Sequence, residues 1–201
     1  MDIEKLIRSV QKELGVEVDG KAGPQTWAAI AKRLIPDQAP SLVSTAVTGL
    51  DARSKKNIET LLPEVQPYAV ALIQKAALNG IQAKVISGHR TYAEQDALYA
   101  KGRPDNGPKV TNAKGGQSNH NFGIAFDIGI FEGTAYLGSS PKYKALGLLG
   151  MDLGLDWGGN WKSFKDQPHF QLRPSWANGM NEREMLTELR KRKSEDQKVF
   201  V

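Results

Sequence analysis

The sequence predicts an α+β fold in which a small antiparallel sheet is flanked by helices and preceded by a small helical module. Several segments carry apolar residues at helical spacing. Three short segments, 81–87, 124–130 and 168–172, instead have the alternation or the apolar composition of strands. These segments do not follow the strand–helix–strand rhythm of a parallel sheet, so antiparallel pairing is expected.

The N-terminal 35 residues are predicted to form two short helices. The first spans 2–14, where Asp2 is a candidate N-cap and Gly15 a stop signal, and it has a clear apolar face: Ile3, Leu6, Ile7, Val10 and Leu14. After an Asp-Gly turn, Pro24 suits the first position of the second helix because its fixed φ is helical. We expect residues 1–35 to be a separate module.

The segment 36–50 is rich in Pro, Ser, Thr and Ala, has no clear period, and is predicted to be a linker. A larger domain over 51–175 follows, and Asp51 is expected to cap its first helix. A second helix is expected at about 67–79, and the capping box from Thr91 to Glu94 predicts a third.

The remaining residues, 176–201, are predicted to form a C-terminal helix and a tail. Asn181 is the candidate N-cap, and apolar residues follow it at helical spacing. The tail after Lys193 is expected to fray, as chain ends commonly do.

Composition excludes several classes of function. With 40% hydrophobic and 24% charged residues the chain is globular, and it has no apolar run long enough for membrane insertion. Without cysteine it has neither disulfides nor thiolate ligands, so a bound metal must be held by His, Asp or Glu. The net charge of +5 favours polyanionic partners, but we expect no nucleic-acid binding because no basic-aromatic motif is present. The first residues lack the pattern of a secretory signal.

Two of the three histidines and one carboxylate form a candidate metal site. His120, Asp127 and His169 would supply two imidazoles and a carboxylate to a catalytic zinc, leaving the fourth position to water. Residues seven apart on a straight strand point to opposite faces, so His120 and Asp127 require a bend near Gly123. Other divalent metals accept the same ligand types.

Peptide hydrolysis at such a site needs a base and a positive partner for the developing oxyanion. Asp166, three residues before His169, is the candidate base, and the alternative is a turn-capping role before Pro168. Arg90 is the candidate positive partner, and its alternative role is a structural ion pair. His89, next to Arg90, is left open as either a site residue or a structural histidine.

Three motifs of the chain resemble those of the zinc D-alanyl-D-alanine carboxypeptidase and L-alanyl-D-glutamate endopeptidase family. They are S-x-H-x-x-G-x-A-x-D over 118–127, D-x-x-H over 166–169 and S-G-H-R-T over 87–91. The W-G-G segment starting at 157 is similar to its phage endolysin branch. The resemblance covers about 50–173. It implies His120, Asp127 and His169 as zinc ligands, Asp166 as base and Arg90 as a substrate or transition-state contact; further substrate contacts are expected at Ser118, Gln95 and Trp157.

Residues 10–27 are similar to the peptidoglycan-binding repeat, which implies a wall-binding module; the alternative is a helical hairpin that only packs on the main domain. Together the resemblances imply a zinc endopeptidase of bacterial peptidoglycan, with the L-Ala–D-Glu bond of the stem peptide as the expected target. With the missing signal pattern, they further imply a phage-type endolysin made in the host cytoplasm and acting on the wall. The sequence leaves the oligomeric state open, and a monomer is expected. The alternatives are a D,D-carboxypeptidase or dipeptidase with the same site, and a wall-binding protein without activity.

Overall fold

A computed structural model of the protein describes residues 2–34, 50–103 and 109–201. It has mixed helices and strands in these ranges. The helices are α1 Ile3–Leu14, α2 Pro24–Leu34, α3 Ala52–Glu59, α4 Gln66–Leu78, α5 Tyr92–Ala100, α6 Lys142–Asp152 and α7 Glu182–Ser194. The strands are β1 Ala83–Ser87, β2 Ala125–Glu132, β3 Ala135–Leu137, β4 Asp156–Trp157 and β5 His169–Gln171. The linker predicted at 36–50 lies outside the described residues except for Leu50.

The five strands form one antiparallel sheet in the order β1-β2-β5-β4, with β3 also paired to β2. This confirms the predicted α+β fold and the central place of the apolar segment at 124–130. The hairpin strand β3 was not predicted, because its three residues are exposed or half-buried and carry no apolar alternation. The site described below lies where β2 and β5 pair.

Three helix starts follow the predicted capping chemistry. The Asp51 side chain accepts a hydrogen bond from the Ser54 backbone N–H. Thr91 with Glu94, and Asn181 with Glu184, form complete capping boxes at α5 and α7. These local signals fix where the helices begin, and with them the positions of the loops that enter the site.

The sheet packs against α4 and α6, and two glycines of α6 allow a close approach. A Cβ on Gly147 would lie 2.3 Å from the Trp157 ring, and one on Gly150 would lie 2.5 Å from the Phe170 ring. Phe170 also stacks on Phe126 with ring centroids 6.0 Å apart, and both side chains are fully buried. The strands behind the site therefore rest on a closely packed apolar layer.

The two N-terminal helices contact the larger domain through polar groups and through Gly23. Lys21 Nζ donates to the Gly154 carbonyl at 3.1 Å, and the Ser175 backbone N–H donates to Glu17 Oε1 at 3.3 Å. Gly23 lies against Tyr68, where a Cβ would approach the ring to 2.7 Å. Polar contacts, the close approach at Gly23 and packing of α2 against α4 thus join the helix pair to the larger domain.

The prediction that the tail frays after Lys193 was wrong. Helix α7 continues to Ser194, and the chain then turns back so that Phe200 is 7% exposed. The Trp176 indole N–H donates to the Val199 carbonyl at 2.7 Å. Burial of one aromatic side chain outweighs the usual entropy of a chain end. Within the described ranges, no helix has both the length and the apolar composition that crossing a membrane requires.

Candidate metal centre

His120, Asp127 and His169 converge on one point, as the sequence predicted. His120 Nε2 lies 3.2 Å from Asp127 Oδ1 and 3.3 Å from His169 Nδ1, and His169 Nδ1 lies 3.4 Å from Asp127 Oδ1. The three side chains are the cluster of possible metal ligands found in the described part of the chain.

The dimensions of this triangle fit a tetrahedral zinc ion. Zinc bound to His nitrogen and carboxylate oxygen at about 2.0–2.1 Å places neighbouring ligand atoms about 3.3–3.4 Å apart. The observed edges of 3.2, 3.3 and 3.4 Å match one face of that tetrahedron. Two imidazoles and a carboxylate are also a donor set that zinc accepts in catalytic sites. The residues present therefore fit the metal.

Backbone geometry explains why these three side chains meet. Asp127 on β2 and His169 on β5 are directly paired in the antiparallel register, so their side chains lie side by side on one face. His120 lies in a 3-10 turn, Asn119–Phe122, that ends at Gly123 with φ +70°. The left-handed backbone at Gly123 makes the bend that the sequence required. Glycine suits this position because any side chain would be strained in that conformation.

Each imidazole is oriented by a hydrogen bond from its other nitrogen. His120 Nδ1 lies 2.8 Å from the Gly88 carbonyl oxygen, which only accepts, so Nδ1 carries the proton and Nε2 presents its lone pair. His169 Nε2 lies 2.9 Å from Gln171 Oε1, which leaves Nδ1 for the metal. Such partners fix the tautomer and the ring plane of metal-binding histidines.

The charges of the site favour a cation. Burial acts to raise the pKa of Asp127, but the adjacent His120 and His169 hold that pKa well below its ordinary value. Burial acts to lower the pKa of His169, but its hydrogen bond with Asp127 and that carboxylate's charge raise it. An ionised carboxylate that attracts a proton onto its neighbours also attracts a metal ion, which competes with that proton.

Asp166 lines the same cavity as the three ligands, a cleft of about 440 Å³. Burial, together with the charge of Asp127, raises the pKa of the Asp166 carboxyl. Its backbone is tied on both sides: Asp166 N–H donates to the Gly158 carbonyl at 3.1 Å, and the His169 N–H donates to the Asp166 carbonyl at 3.2 Å. A carboxylate with a raised pKa in a metal-facing cleft suits a general base.

Arg90 is held at the cleft by three side chains. Its Nη1 donates to Gln95 Oε1 at 2.7 Å and its Nη2 to Ser87 Oγ at 3.0 Å, while Nη2 lies 3.6 Å from Asp127 Oδ2. Gln95 is fully buried and its Nε2 donates to the Ala113 carbonyl at 2.8 Å. The guanidinium is therefore fixed before any ligand arrives.

The other predicted substrate contacts divide into two groups. Ser118 lines the cleft beside His120. Gln95 does not: it lies behind Arg90 and positions it. Trp157 is also outside the cleft, because its ring packs on Gly147 and its indole N–H donates to the Gln167 carbonyl.

His89 also lies apart from the metal ligands. Its backbone N–H donates to Thr60 Oγ1, and burial lowers the pKa of its imidazole. The hydrogen bond is made by the backbone of His89, so the choice between a site residue and a structural histidine stays open.

The residues at or near the site that were missed include an exposed aromatic side chain and a polar network. Phe164 is 61% exposed, lines the cleft and has φ +55°, a strained value for an aromatic residue. Gln171 contacts His169, and two-residue spacing on a strand was a usable signal for it. Asn119 and Glu182 join Gln171 in a polar network, and nothing local in the sequence indicates that Glu182 comes so close.

Residues 111–172 match the family model described as D-alanyl-D-alanine carboxypeptidase. The chain is also 36% identical, over 125 residues, to the peptidoglycan L-alanyl-D-glutamate endopeptidase CwlK of Bacillus subtilis (strain 168). That match covers 57% of this chain and 75% of the Bacillus protein. The chain belongs to the D-alanyl-D-alanine carboxypeptidase and L-alanyl-D-glutamate endopeptidase family. The three candidate ligands of this peptidase family member all lie inside the matched segment 111–172.

A second relative within this peptidase family is the L-alanyl-D-glutamate peptidase of Listeria phage A118, 29% identical over 124 residues. That match covers 60% of this chain but 41% of the phage protein, so the chain spans under half of that relative.

Two solved structures are similar at TM-scores below 0.5. One is the Serratia marcescens L-Ala D-Glu endopeptidase ChiX, with a TM-score of 0.47, 24% identity, and 60% of this chain and 86% of that one covered. The other is the D,D-pentapeptidase VanY of a VanB-type vancomycin resistance cassette in complex with Zn(II), with a TM-score of 0.45, 19% identity, and 64% and 83% covered.

Proposed function

We propose that the protein is a zinc-dependent endopeptidase that cleaves the L-Ala–D-Glu bond in the stem peptide of bacterial peptidoglycan. The observation that carries the proposal is the presence of Asp166 and Arg90 in the same cleft as the metal-ligand triangle. Two relatives named as L-alanyl-D-glutamate peptidases support the choice of bond.

His120, Asp127 and His169 would hold the zinc, which supplies a water of lowered pKa and polarises the scissile carbonyl. Asp166 accepts one proton from the attacking water. It returns that proton to the departing amine nitrogen as the C–N bond breaks, so the carboxylate is regenerated in each cycle. A raised pKa suits both halves of this exchange.

Arg90 contributes a fixed positive charge at the cleft. Because Gln95 and Ser87 hold the guanidinium in place, it needs little reorganisation to meet either the developing oxyanion or a substrate carboxylate. Stem peptides carry free carboxylates, so both uses agree with the substrate. The exposed Phe164 ring at the cleft adds an apolar contact for the peptide.

The helix pair, residues 2–34, is proposed to bind the wall and keep the enzyme near its substrate. Its similarity to the peptidoglycan-binding repeat supports this role. Several large apolar side chains of the pair are exposed, among them Trp27 at 59%. A net charge of +5 favours attachment to an anionic wall. The phage relative supports a role in lysis, as a protein made in the host cytoplasm that acts on the wall from within.

Digestion of purified peptidoglycan by the zinc-loaded protein, followed by mass analysis of new termini, tests the activity. New N-terminal glutamate is expected. Release of D-alanine would instead identify a D,D-carboxypeptidase, the activity that the matched family description names. Absence of any cleavage, with the protein still sedimenting with the wall, would leave a binding protein without activity.

Two variants separate the roles of base and ligand. Asp166→Asn is expected to keep zinc and to lower the cleavage rate by about 10²–10⁴-fold, because it removes the general base. His120→Ala is expected to lose zinc as well as activity. The control is Asp152→Asn, which makes the same charge change at an exposed side chain outside the cleft. Full activity of Asp166→Asn would show that another group is the base.

A further inference from the structure

A chain of side-chain hydrogen bonds leads from the C-terminal helix α7 to His169, one of the three candidate metal ligands. Glu182, the first residue of α7, accepts from the Asn119 amide, and the same amide donates to Gln171 Oε1. Gln171 Oε1 in turn lies 2.9 Å from His169 Nε2. Asn119, Gln171 and His169 are each at most 5% exposed. Three of the four groups are thus buried, and Glu182, with a side chain that is 44% exposed, forms the solvent-facing end of the path.

The chemistry of the end groups decides which group donates and which accepts at each hydrogen bond, and this order is the direction of the path. An ionised carboxylate only accepts, so Asn119 must turn its NH₂ group towards Glu182. The second hydrogen of that NH₂ group reaches Gln171, which must therefore present its carbonyl oxygen. That oxygen also faces His169, so Nε2 must carry the imidazole proton and Nδ1 must be the free lone pair. Nδ1 is the atom that points at Asp127 and His120.

The Asn119 amide has little choice of orientation. In its present orientation, Oδ1 accepts no hydrogen bond from the part of the chain that the structure describes. Turning the amide over would place that oxygen against the acceptor oxygens of Glu182 and Gln171, which is worse because both contacts become repulsive. The Glu182 carboxylate therefore favours the orientation in which the Asn119 NH₂ group makes two hydrogen bonds and Oδ1 makes none.

Glu182 is itself anchored as an anion. Arg173 Nη2 donates to Glu182 Oε2 at 3.2 Å, and Arg173 Nε donates to Asp156 Oδ2 at 3.0 Å. The position of Glu182 in the first turn of α7, directly after the cap Asn181, adds the favourable field of a helix N-terminus. The fixed end of the path therefore stays acceptor-only.

We propose that Glu182, acting through Asn119 and Gln171, is a positioning residue that fixes the tautomer of His169 in which Nδ1 binds the metal. The inference rests on the zinc site of the proposed function. It gives helix α7, which lies outside the matched segment 111–172, a part in assembling the metal centre.

The test reverses the direction of the path with a nearly isosteric change, Asn119→Asp. An aspartate offers no donor, so Gln171 must turn its NH₂ group towards it and thereby towards His169 Nε2. His169 can then accept only with its proton on Nδ1, where it opposes the metal. Zinc affinity, measured by competition with a chromophoric chelator at about pH 8, is expected to fall about 10–100-fold.

The sign of the effect distinguishes this account from simple electrostatics. An added negative charge near the ligands should tighten zinc binding if charge alone mattered. Gln171→Glu supplies the matched case, since it adds the same charge yet keeps an acceptor facing both Asn119 and His169. Its zinc affinity is expected to equal or exceed that of the wild type. Asn178→Asp, at an exposed position, controls for net charge.

The double variant Asn119→Asp with Glu182→Gln separates direction from repulsion. If Asn119→Asp weakens zinc binding only because two carboxylates repel, the neutral amide introduced at position 182 restores affinity and the proposal is overturned. The proposal requires that affinity stays low, because the carboxylate introduced at position 119 still offers Gln171 no donor. Unfolding midpoints of the metal-free proteins, expected to stay close to one another, show that each variant folds.

The outcomes keep the two proposals apart. A wild-type protein that binds no zinc overturns the proposed function and this inference with it. A wild-type protein that binds zinc, alongside an Asn119→Asp variant of equal affinity, overturns this inference alone.

Discussion

The helix pair at residues 2–34 and the sheet domain that follows differ in the kind of side chain that they bury. The sheet domain buries large apolar side chains such as Phe126, Phe170 and Leu72 completely. The helix pair buries a glutamine: Gln11 is 1% exposed, while Ile3 and Trp27 are 71% and 59% exposed.

Gln11 organises the pair through directed hydrogen bonds. Its Oε1 accepts from the Gly20 backbone N–H at 2.8 Å, and its Nε2 donates to the Lys21 carbonyl at 2.9 Å and to Thr26 Oγ1 at 3.0 Å. A unit of this size has too little interior for a sufficient apolar core. Apolar periodicity therefore predicted the helices of both regions, but only in the sheet domain did it also predict which side chains are buried.

The largest expected effect on stability lies in the sheet domain. Phe170→Ala removes a fully buried ring that stacks on Phe126 and lies against Gly150, so the free energy of unfolding should fall by about 3–5 kcal/mol. Urea unfolding of the metal-free protein measures it. The counterpart Trp27→Ala, at an exposed ring of comparable size, should change it by less than about 0.5 kcal/mol. Equal losses would remove the contrast between the two regions.

An intermediate effect is expected where the helix pair keeps its buried polar group. Gln11→Ala leaves the buried Gly20 N–H without its acceptor, so the pair should lose about 1–3 kcal/mol of local stability. Hydrogen exchange of α1 and α2 amides should quicken, while cleavage of a soluble stem peptide stays at the wild-type rate. Lys12→Ala, on the exposed side of the same helix, is the control and should leave exchange unchanged.

The smallest effect is a pH dependence where the two regions meet. Burial raises the pKa of Glu17, whose carboxylate accepts from Ser175, so folding favours its protonated form. This contribution is fully present below the unfolded pKa, near 4.5, and is lost as pH rises through the folded pKa.

Glu17→Gln should therefore stabilise the metal-free protein at neutral pH, by less than about 1 kcal/mol because the group is partly solvated. The gain should vanish near pH 4. Unfolding midpoints at both pH values test this, with the exposed Glu13→Gln as control. A gain that persists unchanged in acid would show that charge burial at Glu17 is not its cause.

Local chemistry made much of the fold, and the convergence of His120, Asp127 and His169, predictable. Capping signals at Asp51, Thr91 and Asn181 mark true helix starts. The need to bring His120 and Asp127 together predicted the bend that Gly123 makes. All of these depend on neighbours within a few residues.

Features that depend on tertiary contacts were not predicted from the sequence. The return of Phe200 to the core and the approach of Glu182 to Asn119 join segments that are far apart or carry no local pattern. Trp157 was expected at the cleft, but its ring is packed in the core, in space that the missing side chain of Gly147 leaves open. Which side of a strand faces a cavity is decided by packing partners that the local sequence does not name.

The direct pairing of Asp127 with His169 has a consequence for how the protein folds. A slip of β5 by one residue would turn His169 to the opposite face of the sheet and separate the ligands. A metal ion that needs both side chains therefore discriminates the native strand alignment from its nearest misfolded neighbour. Metal binding would stabilise chains with the native strand alignment and would not stabilise chains with a shifted strand. The population of correctly paired chains would therefore increase by mass action.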